Sequence, residues 1–172
     1  SAVQIQRMDS SSVFKTPVPV EIVTEGGKQN FSMETTSEIK TYVIKLDSKP
    51  LNVNFNKGNK VLCKLYFSKP KADWLYQLNN SADAIDRLTA LNGLKDFIND
   101  DEVIEALRTT MRNDKFWGVR NEAVKVIAGS KNRSVTEIFM KYMIDEGDPR
   151  VRRTYLLNIK NILDNHPEEK EN

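Results

Sequence analysis

The feature that most constrains this 172-residue chain is a change in the spacing of its apolar side chains near residue 70. From residue 3 to about 67 they recur at every second position, as in Val18, Val20 and Ile22, in Phe31 and Met33, and in Tyr42, Ile44 and Leu46. Such alternation puts one set of side chains on one face of an extended backbone, the mark of half-buried strands. Beyond Ser68-Lys69-Pro70-Lys71 the interval becomes three or four. Ile85, Leu88, Leu91 and Leu94 form one stripe, Val103, Leu107 and Met111 a second, and Val119, Ala123 and Ile127 a third. Val135, Phe139 and Tyr142 follow, then Val151, Tyr155, Ile159 and Ile162. Each set lies along one side of a helix. The expectation is an α+β chain in two domains: an all-β sandwich over 1–69, an all-α superhelix over 70–164, and a disordered tail over 165–172.

Within the first block about six short strands are expected. Glu25-Gly26-Gly27-Lys28 and Asn56-Lys57-Gly58-Asn59 break the alternation with residues that tolerate positive φ, so both are expected as hairpin connections. Pro17, Pro19 and Pro50 cannot donate to a ladder and belong at strand starts or on edges. Val61 to Phe67 reads as the last strand, with Cys63 buried between Val61 and Leu65. Trp74, Tyr76 and Leu78 then open the helical block and are expected to wedge it against the strands.

The helix ends carry their own signals. Asp148 before Pro149 is an N-cap followed by proline at the first helical position. Ser134 with Glu137 reads as a capping box, and Gly129 and Gly147 as left-handed helix closers. Asn99-Asp100-Asp101-Glu102 reads as capping and dipole complementation at a helix start rather than as a catalytic carboxylate pair. The segment from His166 to Asn172 is polar and is expected to fray.

The helical block also repeats. Aligned on Arg87, Arg120 and Arg152, it shows Ala90-Leu91, Ala123-Val124 and Tyr155-Leu156 three and four places on, and Leu94, Ile127 and Ile159 at the seventh. In the last two copies the arginine follows valine, with an acidic residue a few places earlier, Asp114 or Asp148. This pattern resembles HEAT repeats, and so implies a HEAT- or armadillo-like array in which neighbouring helix pairs stack to share a core. Arg120 and Arg152 then have two readings, contact with a ligand or an ion pair between repeats. Phe116-Trp117 has two as well, the floor of a pocket or a core anchor.

Composition closes several routes. Lys and Arg number 26 against 24 Asp and Glu with no dense basic block, so no nucleic-acid partner is expected. No stretch approaches the ~18 apolar residues of a membrane span, and a soluble chain is expected, its compartment open between cytoplasm and periplasm or export. One cysteine permits no internal disulfide, and one histidine cannot supply the two imidazoles of an H-E-x-x-H zinc site. Neither a P-loop nor a dinucleotide fingerprint is present. No catalytic residue, metal ligand or cofactor site is expected in this chain.

Phe116-Trp117-Gly118-Val119-Arg120-Asn121-Glu122-Ala123 is similar to a helical-domain segment of zinc aminopeptidases of the aminopeptidase N type, especially bacterial ones. Trp74-Leu75-Tyr76-Gln77-Leu78 followed by Arg87, Ala90 and Leu91 resembles the same family's W-x-x-Q-L and R-x-x-A-L stretch. Phe14 to Val20 and Asp47 to Phe55 resemble the sandwich that follows its catalytic domain. The resemblance implies a non-catalytic C-terminal region that shapes or closes the peptide chamber of an upstream metallopeptidase domain, which would hold the zinc. That domain would be the main partner, with Trp117, Arg120 and Arg152 as residues that could face the peptide. The alternative is an independent scaffold that binds a protein segment on its concave surface.

Overall fold

A computed structural model describes residues 15–35, 41–63 and 65–166. Strand expectations for residues 3–14 and the tail from 167 onward lie outside the described residues. Three strands, β1 (Thr16–Thr24), β2 (Gly27–Thr35) and β3 (Asn52–Phe55), form one antiparallel sheet in the order β2-β1-β3. Six α-helices follow: α1 (Lys71–Asn80), α2 (Ala84–Leu94), α3 (Asp101–Asn113), α4 (Trp117–Ile127), α5 (Ser134–Asp145) and α6 (Pro149–Asn165). The chain divides inside α2 into two compact units, Ser1–Asp86 and Arg87–Asn172.

In the first unit, β1 and β2 join through the expected two-residue turn at Glu25-Gly26, closed by Gly27 at φ 121°, a value that a side chain would strain. Pro17 and Pro19 lie on the central strand rather than an edge strand, yet they cause no conflict. Ladder bonding alternates from the Thr24–Gly27 pair, so odd-numbered residues of β1 aim their N–H at the β3 side, and β3 pairs only with Val20 to Val23.

The expected sandwich is corrected to a single hydrogen-bonded sheet among the described residues. Val18, Val20, Ile22 and Phe55 form its buried core, and Ile44, Leu46, Val61, Leu65 and Phe67 pack onto it from extended segments that join no ladder. Alternation thus reported which side chains turn inward, because period two belongs to any extended backbone; it did not report pairing. Leu62 and Tyr66 point outward, and Cys63 is exposed, contrary to its expected burial.

The Asn56–Asn59 turn forms as expected but leads into one of these segments instead of a hairpin partner. Asn56 takes the left-handed conformation, and its side-chain amide both donates to the Val61 carbonyl (2.8 Å) and accepts from the Val61 N–H (2.9 Å). Lys57, on this turn, pairs with Asp86 and with Asp83 (3.0 Å), and the Gly58 N–H donates to Asp86 (3.1 Å).

α1 packs along β3, and Trp74 meets edge-on at 6.3 Å the ring of Phe67, which itself packs onto the sheet's core. Beneath Trp74, Lys69 is buried in a polar cage. Its Nζ donates to Asn52 Oδ1 (2.6 Å), to the Val53 carbonyl (3.2 Å) and to Gln77 Oε1 (2.5 Å), and it lies 4.1 Å from the Trp74 ring centre. Burial pulls the ammonium down to about 7, with Asp73 and Asp86 opposing. The three acceptors and the ring face offset part of that burial cost, since each favours the charged form.

Most of the predicted stripe residues become the core of the second unit, but Ile85 is exposed and Leu88 and Ile159 are only half-buried. Leu91, Leu94, Val103, Leu107, Val119, Ala123, Ile127, Val135, Phe139, Val151, Tyr155 and Ile162 are fully buried, with Phe139 and Tyr155 in edge contact at 4.8 Å. Several end signals need correction. Ser134 makes no box with Glu137; it is the first residue of α5, and its N–H and hydroxyl both donate to Asn132 Oδ1 (3.1 and 2.8 Å). Gly129 and Gly147 do not adopt positive φ. Gly129 instead leaves room for Ile98, which stands 3.4 Å from where a Cβ would be. Asp100 caps α3 as expected, accepting from the Glu102 N–H at 3.0 Å. His166 is buried rather than in a frayed tail, its Nε2 3.2 Å from the Ser130 carbonyl oxygen.

Candidate binding surface of the helical repeats

The repeated arginines build a ladder from one helix pair to the next. Arg87, on α2, forms a bidentate pair with Asp114, just ahead of α4 (2.6 and 2.9 Å), both side chains about 8% exposed. Arg120, on α4, forms the same fork with Glu146, just ahead of α6 (3.0 and 3.0 Å). Each carboxylate does a second job. Asp114 accepts from the Phe116 N–H (2.9 Å) and Glu146 from the Asp148 N–H (2.8 Å), so the group that anchors the incoming arginine also orders the entry to its own helix. Arg120 adds a bond to the Asp114 carbonyl (2.9 Å), and its fork with Glu146 raises its pKa further.

This arrangement corrects one sequence alignment. Asp148 is not the counterpart of Asp114 in receiving the arginine of the preceding pair; it caps α6 through the Arg150 N–H (2.9 Å), and Glu146 is the receptor of Arg120. The signal was available, because Glu146 lies 32 residues after Asp114 and Arg152 lies 32 after Arg120. Composition alone could not tell the two acids apart.

Ahead of α6 the ladder borders a cleft of about 900 Å³ lined by Met111, Arg112, Arg120, Tyr142, Glu146 and Pro149, among others. The Arg112 guanidinium stands 5.9 Å from the Tyr142 ring centre. Arg120 therefore contributes a wall held in place by its ion pair. Trp117 is half-buried, with the Arg150 guanidinium stacked 3.9 Å from its ring centre and Phe116 at 5.7 Å. Gly118 permits this, since a Cβ there would come 2.6 Å from the Phe116 ring. Arg150 is steadied by Asp148 (2.7 Å), whose own pKa that contact depresses to about 2. Arg152 is exposed on α6 and takes no part in this cluster. Sequence reasoning singled out Trp117, Arg120 and Arg152 but missed Arg112, Tyr142 and Arg150; none of these three stands at a repeat-defining position.

Chemically the cleft offers fixed charge, donors and an aromatic face, but no nucleophile paired with a base. Among the described residues no three His, Cys, Asp or Glu side chains gather as a metal site. No described helix is long and apolar enough to cross a membrane.

Successive helix pairs, a shared core and an arginine–carboxylate ladder from pair to pair define a stacked helical-repeat protein. Residues 72–160, more than half of the chain, match the family described as HEAT repeats, and the chain belongs to that family. The matched region spans nearly all of α1 and most of α6. No curated protein matches the chain.

Proposed function

We propose that this chain is a protein-binding scaffold whose cleft receives a segment of a partner polypeptide. The observation that carries the reading is the prebuilt wall of that cleft. Arg120 and Glu146 are locked to each other, so a peptide would meet ordered groups and little would be lost in arranging them. Membership of the HEAT-repeat family supports the same class of role, since such arrays commonly present concave surfaces to protein partners. Selection of a random peptide library on the full chain tests it. Enriched peptides are expected to lose at least about tenfold in affinity when Arg112→Glu and Asp145→Arg reverse the charge of the rim. Failure to enrich any peptide, or enrichment unaffected by both reversals, would overturn the reading.

A finer reading rests on the resemblance of residues 74–78 and 116–123 to aminopeptidase N-type enzymes, and on Arg120 being one of the residues that line the cleft. In it, the cleft forms part of the peptide chamber of an upstream metallopeptidase domain, Arg152 supplies a further contact, and zinc is bound in that domain with no ligand from this chain. The coding sequence ahead of Val3 decides the matter. An H-E-x-x-H motif followed by a distant glutamate supports the chamber, and its absence leaves the general scaffold.

A further inference from the structure

The ladder has a third rung without a partner among the described residues. Arg87 and Arg120 each reach forward to the carboxylate that opens the matching helix of the next pair, and one turn on, the same faces bury Leu91 and Val124 completely. The counterparts on α6 are Arg152, which is exposed, and Leu156, which is 61% exposed. Ile159 and Leu163, at the seventh and eleventh places, continue the stripe and are only half-buried, whereas the first two copies bury Leu94 and Ile127 fully at the seventh. The other helix of each pair shows the same contrast. Ile104 and Met111 on α3 are buried, but Thr136 and Met143, 32 places later on α5, are half-buried. Both helices of the last pair therefore display the surface that earlier pairs bury.

We propose that the outer face of α6, formed by Arg152, Leu156, Ile159 and Leu163, binds a carboxylate-led amphipathic helix of a partner protein, seated as the next helix of the stack. The earlier rungs specify its chemistry. It presents Asp or Glu about two residues ahead of its N-cap, as Glu146 stands to Asp148, and an apolar stripe behind it. Arg153 and Lys160 flank the stripe with further positive charge, which complements an acidic helix start. This surface is distinct from the cleft, so the inference goes beyond the scaffold reading above and does not depend on it.

The probe is a synthetic peptide of residues 145–166, which carries Glu146 and α6, followed by amide NMR shifts of the full chain. A second version, tethered to the chain's C-terminus by a flexible Gly/Ser linker, raises the effective concentration to roughly millimolar and removes weak affinity as an obstacle. Shifts are expected on α6 around Leu156 and on α5 around Met143. Arg152→Glu is expected to weaken binding about tenfold, Leu156→Asp to abolish it, and Arg152→Gln combined with Glu146→Gln in the peptide to cost no more than either alone. These residues of the chain are surface groups, so the variants keep their fold, which circular dichroism checks. Absence of shifts with both peptide forms overturns the inference, as do additive effects of the two charge removals. Self-association of the chain that persists in Arg152→Glu also overturns it, because the occupant would then be a second copy held by Leu156 and Leu157.

Discussion

The sheet-bearing unit and the helical unit both bury charged groups, but they do so differently. In the helical unit the device is modular: a guanidinium fork on a carboxylate, used at Arg87–Asp114 and again at Arg120–Glu146, with each carboxylate tied to its own helix entry. In the sheet-bearing unit the device is singular: one ammonium, Lys69, gathers acceptors from β3 and α1, and another, Lys57, gathers carboxylates at a turn. A repeat can reuse a solution because each pair meets its neighbour in the same way. A sheet edge meeting one helix has no second instance, so its solution is made once from whichever side chains converge. Losses in the helical unit should accordingly follow rung position, whereas losses in the other unit should concentrate at one residue.

The largest effect is expected from Arg87→Ala. It strands Asp114 in a nearly closed site and should destabilise the helical unit by about 3–5 kcal/mol in urea unfolding. A loss below about 1 kcal/mol would remove the ladder from the comparison. Next is Lys69→Met, which leaves Asn52, Gln77 and the Val53 carbonyl without their donor and should cost about 1–3 kcal/mol. The pH dependence sharpens this case. With the folded-state pKa near 7 against an ordinary 10.5, the unfolded chain binds the extra proton between those values, so stability rises as pH climbs from about 7 to 10.5. That slope should be absent from Lys69→Met, and equal slopes in both proteins would show that Lys69 stays charged when folded.

A smaller effect, of opposite sign, is expected at Tyr155. Its ring is fully buried and its hydroxyl has no hydrogen-bond partner among the described residues; burial, with Glu146 and Tyr142 adding to it, raises the phenol pKa. Tyr155→Phe should leave the thermal midpoint unchanged or raise it, by up to about 1 kcal/mol in stability. A clear loss would mean that the hydroxyl is satisfied in solution. The smallest effect is expected from Asp148→Ala, a half-buried cap. Because the folded pKa lies near 2 instead of 3.8, the cap's contribution is present above about 4 and is lost as pH falls through 2. Acid titration of the variant against the parent should converge below that pH.

How much was legible follows the range of the interactions. Helices α2 to α6 were readable because their bonds join residues four apart and their buried stripes repeat at the same interval, so Val103, Leu107 and Met111 announce α3 by themselves. The Asp148–Pro149 start was readable for the same reason. Ser134 misled because α5 begins one residue earlier than a cap there requires, and Gly129 misled because α4 closes through i→i+3 bonds, Gly129 N–H to the Val126 carbonyl and Ser130 N–H to the Ile127 carbonyl, which need no left-handed residue. Cys63 and Val61 misled because alternation fits a strand and an unpaired extended segment equally well. His166 misled because nothing in a polar stretch shows that the Ser130 carbonyl, 36 residues earlier, lies within reach.

By itself the sequence determined the two periods, the helices, the inward faces of the extended segments and the repeating arginines, all of which depend on neighbours within a turn or two. Only the tertiary structure decided which segments pair into a sheet, which acid receives Arg120, and that Lys69 lies inside instead of in a solvated linker. Those outcomes depend on groups brought together from distant positions. The energies that select among them come from burial and charge pairing, which no local pattern encodes.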